Sequence, residues 1–177
     1  HQAREAAQQE GHVLIQDTSW EGYEDYPNMI SAGYSTIIRE IEKQLKSMED
    51  KFPDVMLLQS GVGSWAASMM LYTLRHTAYK TPKFIIVEPY ESDCLLESAK
   101  KSKRSTTSKS QKTIMAGLNC GTPSMSAWEI IDDMADAYIS IDDHYVENAL
   151  HELKRSGVQS CESGAAGLAG LLALFEN

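Results

Sequence analysis

No run of apolar residues in this sequence is long enough to cross a bilayer as a helix, so no membrane partner is expected. Cysteine is scarce: Cys94, Cys120 and Cys161 lie too far apart for a zinc spacing, and an odd number makes no disulfide framework. Reduced thiols in a cytoplasmic protein are the expectation. The five histidines form no ligand pattern, so no metal is expected. Positive charge is also short. Sixteen Lys and Arg against 25 Asp and Glu leave a formal charge of −9, which argues against nucleic acid as a partner. Six of those sixteen crowd into "KKSKRSTTSKSQK" (100–112), a segment without apolar or aromatic residues. It is expected to be a solvated, mobile loop rather than a nucleic-acid or membrane patch.

What is present is enough for one globular domain. The 177 residues are 42% apolar, which allows a proper core. "AREAAQQEGH" (3–12) reads as the end of a helix with Gly11 as C-cap, followed by a buried strand over 13–15. Ile30, Tyr34, Ile37, Ile38, Ile41 and Leu45 follow a helical period within a helix over 28–48. Strands are expected over 55–58, 83–89 and 137–141, and helices over 65–76, 92–101, from about 124, and over 142–157. "VQSCESGAAGLAGLLALF" (158–175) reads as a short strand, a small-residue turn and a helix. Strands alternating with helices predict an α/β fold, a mainly parallel sheet with helices on both faces, whose ligands sit at the carboxyl ends of the strands.

Two readings of "LQSGVGSWAASMMLY" (58–72) stand side by side. A strand, a glycine turn and a helix start bring backbone N–H groups and the positive end of a helix dipole to one place, which suits a phosphate. The same glycines also suit a plain tight turn with unusual φ/ψ.

Four segments carry a resemblance. "IQDTSWEGYEDYP" (15–27), "LLQSGVGS" (57–64), "IIVEP" with the following "DC" (85–94), and "TIMAGLNCGTPS" (113–124) with "ESGAAGLAGL" (162–171) resemble the diaminopropionate ammonia-lyases. These belong to the tryptophan-synthase-β-like, fold type II enzymes that use pyridoxal 5′-phosphate. The similarity keeps the family's order over most of 12–174, while the Lys/Ser run within 98–112 departs from it. "QDT.WEGY" and "MAGL.CG.P" separate these lyases from the serine/threonine dehydratases.

The resemblance implies elimination of two amino groups from 2,3-diaminopropionate, giving pyruvate and ammonia. It implies that Gly61, Val62, Gly63 and Ser64 cradle the cofactor phosphate, and that Ala116 and Gly117 lie against the cofactor ring. Ser163 matches the hydroxyl that meets the pyridine nitrogen, beside its alternative as a helix N-cap. Asp17 matches an active-site carboxylate, beside its alternative as a turn residue. Trp20, Glu21 and Tyr23 either wall the site or pack, Glu88 and Cys94 are expected to be structural, and Cys161 is expected to be a buried packing residue.

The family's Schiff-base lysine, in an "N-A-F-K" segment, and its "D-G-N-H-G" do not occur here. The chain, which starts at His1, is therefore expected to be a central-to-C-terminal fragment cut at both ends and inactive alone. Residues 1–16 would be the tail of the smaller subdomain, and 17–177 part of the larger cofactor-binding domain. A homodimer acting on a small amino acid is expected of the full-length protein. The alternatives are a serine/threonine dehydratase-like enzyme, or a non-catalytic relative that binds or scaffolds.

Overall fold

The computed structural model describes residues 2–7, 11–76 and 80–176. In chain order its helices are α1 (Gln2–Ala7), α2 (Asp25–Ser47), α3 (Ser64–His76), α4 (Cys94–Lys100), α5 (Met125–Met134), α6 (Asp143–Arg155) and α7 (Glu162–Glu176). The strands are β1 (Val55–Gln59), β2 (Lys83–Pro89) and β3 (Ala137–Ile141). They form a parallel sheet in the order β1-β2-β3, with Leu58 opposite Ile86 and Val87 opposite Ile139. Among the described residues no helix is long and apolar enough to cross a membrane.

The sheet is covered on both faces, as the alternating pattern requires. Successive strand residues point to opposite sides. Leu58, Phe84 and Ile86 therefore pack with Ile38 of α2, Met69 and Met70 of α3 and Ile131 of α5, whereas Val87 and Ile141 pack with α6 and α7. Both β-to-β crossovers step the same way across the sheet, and a common right-handed sense puts α3 and α5 on the same face. On the other face α7 lies close against the strands because its inner stripe is small. A Cβ added to Gly170 would stand 2.9 Å from both Val87 methyls.

α2 starts three residues before the expected helix over 28–48. Asp25 and Pro27 occupy its first turn, where an acidic side chain faces the positive end of the dipole and proline loses no helical hydrogen bond.

Two expected strands are absent. Residues 13–15 are not in a sheet, and Val13 and Ile15 are exposed. Their neighbours bond to a side chain instead: the Tyr23 hydroxyl donates to the Leu14 carbonyl at 2.7 Å and accepts from the Gln16 N–H at 3.2 Å. At 158–160 the backbone closes α6, with Gly157 N–H donating to Lys154 O and Val158 N–H to Leu153 O at 2.8 Å. That paired capping removes Val158 from any ladder. The helix expected over 3–12 is described only for Gln2–Ala7 and Gly11 onward, because 8–10 lie outside the described residues.

The basic segment has no regular structure, but it is fastened down. Lys109 Nζ bonds Asp93 at 2.7 Å and lies 3.7 Å from the centre of the Tyr90 ring. Asp93 is fully buried, Thr107 is buried, and Arg104 donates to the Pro123 carbonyl. Most of the segment is exposed, as expected of a solvated loop; the expectation of mobility did not foresee its anchor, a buried carboxylate that holds the Lys109 cation in place.

Glu88, at the end of β2, is fully buried, and its two oxygens accept the Leu95 and Leu96 N–H groups, each at 2.8 Å. It caps α4, as a structural residue should. Burial pushes its pKa up to about 8, against the pull of those two hydrogen bonds. An acid raised in the folded state holds an extra proton there, so its contribution is present below the ordinary carboxylate range and is lost as pH rises through about 8. Thermal melting of the full-length protein below and above that value should show Tm falling as pH rises. Glu88→Gln should melt lower throughout and lose that slope. An unchanged slope in the variant would remove Glu88 as its source.

Candidate active site

Past the carboxyl end of β1 the chain turns through Ser60, Gly61, Val62 and Gly63 into α3. The Ser60 N–H donates to Val87 O at 2.8 Å, which carries the β1–β2 ladder one residue beyond the strand. The carbonyls that follow are used by the protein: Val62 O accepts from the Ser124 N–H, and Gly63 O from the Ala67 N–H, both at 2.9 Å. Ala67 thus makes the first bond of α3, and the N–H groups of Ser64, Trp65 and Ala66 have no acceptor within the helix. These three residues line a cleft of about 370 Å³.

The second wall is the loop at Asp17. Ser19 is buried and bolts this loop to the start of α5: its N–H donates to Ser124 Oγ at 2.8 Å, and its own Oγ accepts the Ser126 N–H at 2.9 Å. Ser64 Oγ donates to the Asp17 carbonyl at 2.8 Å, tying the loop to the glycine turn. The proton of Ser64 is therefore committed to the protein, and the cradle rests on backbone N–H groups. The third wall comes from the 116–118 turn and the start of α7, where the Gly117 N–H donates to Ser163 Oγ at 2.9 Å.

Asp17 is the one formally charged side chain in the lining, and among the described residues no lysine or arginine lines the cleft. An anion bound at α3 would be balanced by N–H groups and the helix dipole alone. Burial, and after it the Asp17 charge, push up the phenol of Tyr34 and the thiol of Cys120, both in the lining. Both groups stay protonated in neutral water.

The structure brings Asp17, Gly61, Val62, Gly63, Ser64, Gly117 and Ser163 into this cleft and leaves Ala116 outside it. Ala116 opens the short turn with its methyl exposed. Trp20, Glu21 and Tyr23 are also outside the lining; Trp20 stacks on Tyr23 at 4.2 Å between ring centres, in a packing role. Cys161 is exposed rather than buried, and its sulfur accepts the Gly164 N–H at 3.4 Å, at the start of α7. Ser163 therefore lies inside the helix and is not its N-cap.

Sequence reasoning missed Tyr34, Gln59, Ser60 and Cys120 as lining residues. Gln59 and Ser60 adjoin the glycine turn and were within reach of the strand-end argument. Tyr34 falls on the apolar stripe of α2, and periodicity assigns it to the core.

Comparison with known proteins gives the family and the fold. The family model described as pyridoxal-phosphate dependent enzyme matches residues 1–177. A diaminopropionate ammonia-lyase of Salmonella typhimurium is 38% identical over 99% of this chain and 45% of its own length. The enzyme of Escherichia coli K12 is 36% identical over 95% of this chain and 43% of its own. A crystal structure of the Escherichia coli diaminopropionate ammonia-lyase, in complex with an aminoacrylate-PLP azomethine reaction intermediate, superimposes with a TM-score of 0.86 at 36% identity. It covers 96% of this chain and 44% of that one. The serine racemase of maize, at 22% identity and a TM-score of 0.68 over 78% of this chain and 41% of its own, shares the fold. The chain spans less than half the length of the curated relatives it matches.

Proposed function

Because the chain belongs to the pyridoxal-phosphate dependent enzyme family along all 177 residues, we propose that it supplies the phosphate cradle and the substrate carboxylate of a diaminopropionate ammonia-lyase. The observation that carries this reading is one cleft shared by three distant segments: the Asp17 loop, the Gly61–Ser64 turn and Ser163. The 36–38% identity to lyases acting on a diamino acid supports the substrate class.

When bound, pyridoxal phosphate supplies the electron sink that makes the substrate's α-proton removable. The residues of this chain hold and orient. N–H groups at Val62–Ala66 would take the phosphate, with Gly61 and Gly63 allowing close approach. Gly117 is the residue assigned to the ring face. Ser163 is assigned to the ring nitrogen: its Oγ already accepts the Gly117 N–H, which leaves its own proton to give. The Asp17 carboxylate holds the substrate's second ammonium or exchanges a proton with it. The Schiff-base lysine belongs to another part of the polypeptide. Residues 1–16 trail from the smaller subdomain, and 17–177 belong to the larger one. The reading includes a cytoplasmic homodimer acting on a small amino acid; exposed Val13, Ile15 and Phe175 support contacts with further protein surface.

The test is full-length protein purified without added cofactor. It should carry pyridoxal phosphate by mass spectrometry and release pyruvate and ammonia from 2,3-diaminopropionate faster than from serine. Protein without the cofactor would remove the reading. A preference for serine would move the protein to the dehydratase class.

A further inference from the structure

Asp17 borders a second space besides the cleft. A cavity of about 210 Å³ lies between α2, α3 and α5, and Asp17 and Ser64 line both spaces. Its lining includes the polar residues Asp17, Asn28, Ser31 and Ser126 and, among the described residues, no basic one. The small side chains of Ala32, Ala67 and Ala127 leave the room. Asn28 and Ala32 are exposed, so this rear cavity reaches solvent on the α2 side. The partition between the two spaces is held from behind as well. Ser64 Oγ donates to the Asp17 carbonyl, Ser68 Oγ donates to the Ser64 carbonyl at 2.7 Å, and Ser31 pairs with Ser68.

We propose that the rear cavity is an ammonium subsite and the route by which the substrate's leaving amine departs. The inference rests on the lyase reading. In that elimination the α-proton goes to a base of the enzyme, and the electron pair of the Cα–H bond becomes the second Cα–Cβ bond. The Cβ–N bond breaks with its pair staying on nitrogen, so a β-ammonium group leaves as ammonia. In neutral water the ammonia takes a proton and becomes ammonium. With cofactor and substrate in the front cleft, the rear cavity is the other space that Asp17 borders among the described residues. A carboxylate, an amide oxygen and hydroxyls suit a small cation that carries only hydrogen-bond donors. A polar space of this size also holds water for the same groups when the ion is gone.

Ala32→Leu and Asn28→Leu place bulk at the mouth of the cavity from exposed positions on α2, where leucine is a good helix former. In the full-length holoenzyme either variant should lower kcat by roughly tenfold, as a slowed release step does. Pyridoxal phosphate content and kcat/KM for 2,3-diaminopropionate should remain at wild-type values, so that KM falls together with kcat. Ammonium chloride should inhibit the wild type and perturb its cofactor absorbance without substrate, and both effects should move to higher concentration in the variants. Tetramethylammonium chloride at equal ionic strength, a cation without N–H donors, should do neither. An unchanged kcat and ammonium response in a variant that keeps its cofactor would overturn the proposal, as would equal inhibition by tetramethylammonium. Should Ala32→Leu lose cofactor, Asn28→Leu decides alone. A wild-type protein without cofactor is a different result, and removes the lyase reading itself.

Discussion

Asp17→Asn in the full-length protein is expected to lower kcat/KM on 2,3-diaminopropionate by about 10²–10⁴ while pyridoxal phosphate stays bound. Among the described residues Asp17 is the only formally charged side chain lining the cleft, so none of them there can replace its charge. Its main chain is held independently of its carboxylate, because Ser64 Oγ bonds the Asp17 carbonyl and Ser19 fastens the next turn to α5. Asparagine therefore keeps the loop in place and removes only charge and proton affinity. If the carboxylate exchanges a proton, the loss falls on kcat. If it holds the second ammonium, the loss falls on KM, and diaminopropionate suffers more than serine. Steady-state pyruvate release with both substrates separates the two. Cofactor content serves as the control for folding. Activity within about threefold of wild type, less than 1 kcal/mol, would return Asp17 to a plain turn residue.

Gly63→Ala is expected to cost roughly 2–4 kcal/mol of stability, summing strain at a left-handed position and overpacking of a closed core. Gly63 has φ +93°, and an added Cβ would stand 2.7 Å from Ile131 Cδ1. That side chain would enter the packing of α5 rather than the cleft. An aspartate at this position would accordingly act first on the fold, and only through it on phosphate binding. The loss should appear as a lower Tm and, because the N–H groups of α3 follow directly, as weaker binding of pyridoxal phosphate. Gly33→Ala is the matched control. It lies within α2 with nothing within 4 Å of the added Cβ, so it should be neutral or slightly stabilising. Equal melting of Gly63→Ala and wild type would show that the turn is slack and no fitted cradle.

The bareness of the glycine turn thus has two causes, and only one could be read from the residues. A phosphate needs close backbone donors, which the pattern of strand, glycines and helix announces. The second cause lies far away in the chain. A Cβ on Gly61 would meet Cys120 Sγ at 2.9 Å, because the 117–120 segment packs against the turn. No local pattern reports a contact between positions so far apart.

Periodicity and turn residues determined a good deal without any structure. β1 and β2 have continuous apolar runs, over 55–58 and 84–87, which is how a strand covered on both faces must read, while Ser140 interrupts the run of β3. The helices on the sheet's two faces show the matching 3.6-residue stripe or a run of small residues. Those signals are local, because each reports one element's own buried side. The motifs around Asp17, Gly61–Ser64 and Ser163 likewise named the side chains that converge.

Tertiary structure decided what each of those elements faces. The segments at 13–15 and at the start of 158–175 look like strands, but the Leu14 carbonyl is taken by Tyr23 and the Val158 N–H by the end of α6. Since a ladder needs free N–H and C=O groups, composition alone could not decide those two segments. Tyr34 reads as core and lines the cleft, and Cys161 reads as core and is exposed, because burial depends on what packs over a residue as well as on its type. The basic segment 100–112 reads as free solvent-facing chain, yet Lys109 is pinned by a carboxylate that sixteen residues of separation hide. Whether Asp17 faces one space or two was settled in the same way, by three helices meeting behind it.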